Sequence, residues 1–579
     1  MSDVKVRQRR MVDPVEWMLD LHKQLPKAKT PRERGSERPG AATLLLAAGW
    51  ILLSGELLAQ DQRWVYTYDG GAGDKLNCIV CDAADNTYSA GGSYSHYDDF
   101  LVVSTTPDGA ERWTYRYNGS ADLWDDAYAI AYDGGSRVYA AGTSSGSGTA
   151  EDFTVVALDT AGTEQWVYRY NGRVNSFDVA YCVTCGEDGN VYAAGVCDSN
   201  SQLVVISLTP GGTRRWLYKY DGPGSISNCC RAIVCGRDGN VYLAGFGVGS
   251  GTWEDFTVIS LTAAGQERWV YTRNGSANWS RDEARSIACD SAGNVYAAGW
   301  CEDSISGEDI VVVSLDSAGH ERWAYQLVGP AGKDDEALSL ALGAGGTTYA
   351  AGYAGDTGGY TVFVTVALDD SGQQKWVYRH DRGPYNSEKA SCVAAGTTGD
   401  IYVSGFTCPT GWDDDFTVVS LSGSGDLRWA YHYDGPASPD DRANWVTVGN
   451  DGFVYATGMS PVTEGDGVVA SVTSGVGTKE KTPCVPVLAC ALRGHPALFV
   501  GHVTIDYSVP QSSPVTLAVF DVTGRLVRIL DRGWKAAGGY TVQWDGLNEN
   551  GEAVCTGTYL CRLAAGTYPV RTAKLLHTR

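Results

Sequence analysis

Eight tryptophans at nearly even intervals constrain this chain more than any other feature of it. Trp64, Trp113, Trp166, Trp216, Trp269, Trp323, Trp376 and Trp429 lie in segments of the type "ERWVYRYNG", and successive ones are 49 to 54 positions apart. A second block, of the type "GNVYAAG", alternates with the first: TYSAG at 87, VYAAG at 138, 191 and 295, VYLAG at 241, TYAAG at 348, IYVSG at 401 and VYATG at 454. Self-similarity of this period marks a chain built of repeated supersecondary units rather than of one continuous core. Within a unit, four short segments separated by Gly, Asp and Asn turns read as strands, for example 127–133, 137–142, 153–159 and 165–170. The last alternates Trp166, Tyr168 and Tyr170 with Val167 and Arg169, the period of two of a strand.

Four antiparallel strands repeated eight times predict an all-β fold, an eight-bladed β-propeller over residues 61–476. The two ends of the array are complementary. The first Trp segment, at 63–68, has no preceding partner strands, while the last unit, 443–473, has no Trp strand after it. If the N-terminal strand completes the final blade, the ring closes and both orphan edges are paired. High Gly, Tyr and Trp (72, 33 and 18) against low Met (4) suit such a turn-rich fold.

Two family resemblances follow from these blocks. "VVALDTAGTEQW" (155–166), with Gly162 four residues before Trp166, is similar to the tryptophan-docking motif of quinoprotein-type (PQQ-like) eight-bladed propellers. "DDAYAIAYDGGSRVYAAG" (125–142) resembles the bacterial SBBP repeat. Both motifs imply blade packing, not chemistry. After a polar linker (477–492) the pattern changes to short alternating strands, predicting a small Ig-like β-sandwich over 493–579. This module resembles the flagellar hook-capping (FlgD) Ig-like domain and related C-terminal sorting modules, through Gly524, Arg525, Trp544 to Gly546, Gly551 and Gly557 to Tyr559. The resemblance implies export or surface attachment through the secretion machinery.

Residues 41–53, "AATLLLAAGWILL", follow Arg32, Arg34 and Arg38. They read as the apolar part of a signal peptide (41–60) behind a charged, unpatterned extension (1–40), leaving no membrane span in the mature chain. A net charge of −23 disfavours nucleic acid and anionic membranes, which that field repels. A protein or glycan ligand, or a cation, is the easier partner for what is expected to be a secreted, monomeric protein.

The strongest repeated polar position precedes the first strand of each unit: Asp74, Asp125, Asp178, Asn228, Asp282, Asp335, Glu388 and Asp441. A second acidic row, Asp99, Asp152, Asp255, Asp309, Asp415 and Asp466, precedes the third strand, and antiparallel geometry puts both rows on one rim. Such a rim could gather Ca²⁺, which takes several oxygen ligands. Alternatively, each carboxylate fixes a loop by accepting its N–H groups. Recurrence in every unit favours the loop role, since binding sites are few per protein.

Sixteen cysteines in an exported chain suggest disulfides, and Cys182–Cys197 and Cys392–Cys408 are the candidate pairs, with small buried thiols as the alternative. In the CxxC pairs 78/81 and 182/185 the two side chains point to opposite faces of a strand, which argues against zinc. The vicinal Cys229–Cys230 resembles the vicinal disulfide of quinoprotein dehydrogenases. The long insertions that carry that family's catalytic Asp and Ca²⁺ ligands have no counterpart in units of such uniform length. The eight histidines show no metal spacing, and neither a nucleophile elbow nor a phosphate loop occurs. No catalytic residue and no cofactor is predicted, Ca²⁺ on the rim being the one candidate. The expected function is a non-catalytic binding scaffold; the alternative is a quinone- or Ca²⁺-dependent oxidoreductase or a glycan-active enzyme.

Overall fold

The computed structural model describes residues 62–473 and 492–578, apart from short breaks within each stretch. The stretches expected to be a charged extension (1–40) and a signal peptide (41–60), and most of the expected linker, lie outside the described residues. Eight antiparallel four-stranded sheets make up residues 62–472. Sheet 1 spans Lys75–Tyr117, sheet 2 Asp125–Tyr170, sheet 3 Val179–Tyr220 and sheet 4 Asn228–Arg273. Sheet 5 spans Glu283–Leu327, sheet 6 Glu336–His380, and sheet 7 Lys389–Tyr433. Sheet 8 combines Arg442–Val448, Val454–Ser460 and Asp466–Val472 with the N-terminal strand Gln62–Tyr68. Within each sheet the strands are called A to D in spatial order, so Gln62–Tyr68 is strand D of sheet 8.

Strands run two or three residues further into the rim than the sequence pattern suggests. In sheet 2, strand A is Asp125–Tyr132 and strand B is Arg137–Ser145, because the ladder continues through Asp125 opposite Ser144. Among the described residues, the only helical element is the 3₁₀ turn Ala344–Gly346.

Alternation along the strands gives every sheet two apolar faces, which can be buried only against neighbouring sheets. Buried clusters lie between consecutive sheets all the way round, the one between sheets 8 and 1 combining Trp64, Tyr455 and Val469 with Leu76, Ile79 and Leu101. The A strands touch one another in a closed sequence, sheet 8 meeting sheet 1. This is the arrangement of a β-propeller.

The recurring Trp acts across these seams. The indole of Trp64 donates to the carbonyl of Pro107 at 2.8 Å, that of Trp113 to Thr160 at 3.1 Å and that of Trp216 to Ala263 at 2.9 Å. Seven of the eight rings, Trp64 to Trp376, lie on the C–D turn of the next sheet over a glycine with positive φ, and a Cβ on Gly109 would stand 2.5 Å from Cδ2 of Trp64; Trp429 faces sheet 8, whose strand D comes from the N-terminus, so it meets no such turn. Only glycine meets both demands, the left-handed backbone and the indole against it. The Gly and Trp of one repeat therefore serve different seams: Gly162 receives Trp113, while Trp166 crosses to Pro210. Tyrosine follows suit, Tyr66 donating to Glu111 at 2.7 Å and Tyr115 to Glu164 at 2.6 Å.

The C-terminal module pairs a three-stranded sheet (Leu492–His495, Val503–Val509, Gly538–Trp544) with a five-stranded one. Its core centres on Trp544, 5.2 Å from Tyr559 in an edge-to-face contact. Among the described residues no helix is long and apolar enough to cross a membrane.

Because Trp64 docks across the 8–1 seam, Trp64→Ala should cost about 3 to 5 kcal/mol. Denaturant unfolding monitored by tryptophan fluorescence checks this, with loss of the two-state transition as the extreme outcome.

Candidate functional site

The rim carboxylates are clasps. Asp125 accepts the N–H of Gly119, from the loop after strand D of sheet 1, at 2.8 Å and that of Ser145, at the end of strand B, at 3.0 Å. Asp178 does the same with Gly172 (2.6 Å) and Asp198 (2.8 Å), and Asp282 with Gly275 (2.8 Å) and Glu302 (2.7 Å). Asp335 takes Gly329 and Gly355, and Asp441 takes Gly435. Asn228 fills the place with one neutral oxygen, bonded to Gly222 at 2.9 Å and Val248 at 3.2 Å, so acceptance rather than charge is what the position needs. The backbone N–H of Asp178, Asp282, Asp335, Glu388 and Asp441 in turn bonds to strand C of the preceding sheet. Burial pushes the carboxyls of Asp125, Asp178 and Asp282 up, against the pull of these N–H donors, and takes that of Asp335 to about 6. In the second row, Asp99 pairs with Arg116 at 2.7 Å and Asp152 with Arg169 at 2.8 Å.

The structure joins neither Cys182 to Cys197 nor Cys392 to Cys408. A bulge after Ala180 carries Cys182 opposite Ala194, three positions short of Cys197, and Cys392 faces Ser404, short of Cys408. The nearest thiol to Cys182 shown is that of Cys230 in sheet 4, at 4.0 Å. Cys78, Cys182 and Cys392 line a cavity of about 300 Å³ on the axis, together with Ala129, Ala232, Ser286, Ser339 and Trp445, one residue from every sheet. Cys229 and Cys230 are likewise free and buried, and burial takes the Cys229 thiol up to about 12, so it is a poor nucleophile.

The chemistry absent from the repeated positions collects where the repeat breaks. The third residue after the rim position is Tyr128 in sheet 2 and Tyr181 in sheet 3 but Arg231 in sheet 4 and Arg285 in sheet 5. These arginines reach into a cleft of about 420 Å³ that shares Tyr181, Arg231 and Arg285 with the axial cavity. Arg231 lies over Tyr181 and Phe246, and its Nε meets the buried carboxylate of Glu283 at 2.5 Å. Arg285 lies 4.8 Å over Trp300 and 3.4 Å from the same Glu283 oxygen. Stacked, ion-paired guanidiniums are held rigid while donors remain for a further acceptor. Across the cleft lie Glu308 and Glu336; burial first, and then the Glu336 charge, push the Glu308 carboxyl up to about 8.

Six exposed large apolar side chains crown the same arc. Leu123, Trp124 and Phe177 precede A strands, Trp253 and Ile305 lie between B and C strands, and Val328 follows a D strand. Sequence reasoning missed the cleft because it looked for what recurs; the departures at Arg231 and Arg285 were the available signal.

Comparison with known proteins bears on the C-terminal module. Residues 499–568 match the FlgD Ig-like domain. The matched stretch contains Gly524, Arg525, Trp544 and Tyr559, as the resemblance implied. A search of curated proteins finds no match to this chain. Among solved structures, the chain is similar to a fungal alcohol oxidase of the AA5 family in complex with copper, at 11% identity over 90% of this chain and 100% of the other, TM-score 0.38. It is also similar to PorZ, a surface component of the type-IX secretion system of Porphyromonas gingivalis, at 11% identity, 88% and 75% coverage and TM-score 0.25. Drosophila Plexin A in complex with Semaphorin 1b follows at 10% identity, 75% and 92% coverage and TM-score 0.38.

Two outcomes follow from the geometry. Asp178→Asn should change stability by less than about 1 kcal/mol, as Asn228 does the same work, whereas Asp178→Ala orphans two loop N–H groups and should cost about 1 to 3 kcal/mol. Thermal or denaturant unfolding of both variants checks this. The raised Glu308 carboxyl holds a proton in the folded protein that the unfolded chain releases, so its contribution is present below pH 4.5 and lost as pH rises through about 8. Glu308→Gln should therefore flatten the decline in melting temperature between those limits.

Proposed function

We propose that this protein is an exported or cell-surface β-propeller of eight blades, closed by its N-terminal strand, that binds a glycan without transforming it. The observation that carries this reading is the coincidence, on one arc of one rim, of the Arg–Glu–aromatic cleft and the exposed apolar side chains. Aromatic faces suit the C–H faces of a sugar, and ion-paired arginines and carboxylates suit its hydroxyls. The opposite rim, with its Asp–Gly and Asn–Gly turns, carries none of the large exposed apolar side chains among the described residues. Pairing of Gln62–Tyr68 with Asp466–Val472 and the run of buried clusters between sheets support the eight-bladed closed form. The C-terminal module would serve export or surface attachment, as the related sorting modules do, which supports a secreted or surface location.

A glycan-active enzyme is the alternative. Glycosidases separate their two carboxyl groups by about 5 Å or more. Glu308 and Glu336 are the carboxyl pair of this cleft that such a reaction would use, and the state of the recovered glycan decides between the two readings.

Screening the purified chain against a glycan array tests the proposal. Binding should fall at least tenfold, about 1.4 kcal/mol, in both Arg285→Ala and Trp300→Ala, with the bound glycan recovered intact. Unimpaired binding in both variants would place the ligand elsewhere, and release of shortened glycan would favour the enzyme.

A further inference from the structure

The seam between sheets 8 and 1 differs from its sisters in charge. Asp69, just after the N-terminal strand, Asp74, just before strand A of sheet 1, and Asp466, at the start of strand C of sheet 8, converge there. One oxygen from each lies within 4.8 Å of the others. Asp74 is only 1% exposed. Its Oδ2 accepts the N–H of Gly70, but its Oδ1 is buried without any hydrogen-bond partner. In sheets 2 to 6 the corresponding oxygen is satisfied by the N–H of Ser145, Asp198, Val248, Glu302 or Gly355.

Two sister seams are neutralised where this one is not: Asn118 and Asn171 stand where the seam has Asp69, and Arg116 and Arg169 pair with the counterparts of Asp466, where the N-terminal strand offers Thr67. Single elements of the seam recur elsewhere, an acid at Asp221 and Asp434 in place of Asp69 and Thr272 in place of Thr67, but the three carboxylates come together as one group only here among the described residues. Lys75, next to Asp74 in the chain, turns instead to Asp126 at 2.7 Å and Asp98 at 3.6 Å. Among the described residues no basic side chain forms an ion pair with Asp69, Asp74 or Asp466. A second acidic group, Asp178, Cys197 and Asp198, lacks this property, because Lys219 lies 3.1 Å from Asp198.

Asp74 and Asp466 are buried and Asp69 is exposed at the mouth of the group, and two buried like charges, one with an unsatisfied oxygen, are costly unless a counter-ion accompanies them. We propose that Asp69, Asp74 and Asp466 form a Ca²⁺ site that ties the N-terminal strand to both the first and the last sheet. Hard cations of this size take six to eight oxygens, so three carboxylates leave room for water or backbone carbonyls to complete the shell. The site is independent of the glycan cleft, which lies over other sheets.

The test uses the whole purified chain, stripped with chelator and titrated with CaCl₂ while its melting temperature is followed. Terbium luminescence serves as the second readout. Asp69→Asn and Asp466→Gln are the informative variants, since Asn118, Asn171 and Gln202 occupy those places in sister sheets. Wild type should gain several degrees with a midpoint of about 10⁻⁴ to 10⁻³ M, the range of extracellular Ca²⁺ modules. Each variant, metal-free, should melt at or above metal-free wild type, because a repulsion is removed, and should need at least tenfold more Ca²⁺ for the same shift. No response of wild type up to about 10 mM, or an undiminished response in both variants, would overturn the proposal.

Discussion

Everything in the repeated part of this molecule depends on an indole laid over a glycine turn of the next sheet. A four-stranded sheet with two apolar faces is not stable alone, and stacking fixes which faces meet but leaves each sheet free to slide on its neighbour. The Trp–carbonyl bond and the glycine beneath the ring remove that freedom at the outer edge, while the rim clasps remove it near the axis. Together they set the register between sheets, and with it which side chains reach the axial cavity.

This division explains which parts of the molecule were legible in the sequence. Features that nearly every sheet repeats, the Trp dock and the clasping acceptor, stand out because the same physical demand writes Trp eight times and Asp, Glu or Asn at each clasp. Position on the rim followed from strand alternation alone, and the loop role of the carboxylates from their recurrence. The cysteine pairs were inferred from hairpin proximity at the strand ends, which does not register a bulge within strand A. The bulge after Ala180 and the depth of Cys182 within strand A put its thiol beside sheet 4 instead.

The cleft was illegible for the opposite reason. Arg231, Arg285 and Glu283 look like ordinary variation at exposed strand positions until neighbouring sheets bring them against Tyr181 and Trp300. Its electrostatic character depends on groups brought together from different sheets, Arg231 meeting Glu283 across 52 positions of chain. Such pairs exist only once the sheets are stacked. Likewise, the unneutralised carboxylates at the 8–1 seam become visible only by comparing each sheet with its sisters in space.

Sheet 8 is assembled from the two extremes of the repeat array, with Arg63 bonded to Ser471 across 408 positions of chain. A contact that distant carries the largest loop-closure entropy in the molecule and must form late. Sheets 1 to 7 can each build from consecutive strands as they emerge from the ribosome or a translocation pore, whereas Gln62–Tyr68 must wait, edge exposed, until the last repeat arrives. For that interval the growing molecule is an open arc with two unsatisfied rims, the stage at which a holding chaperone would matter most.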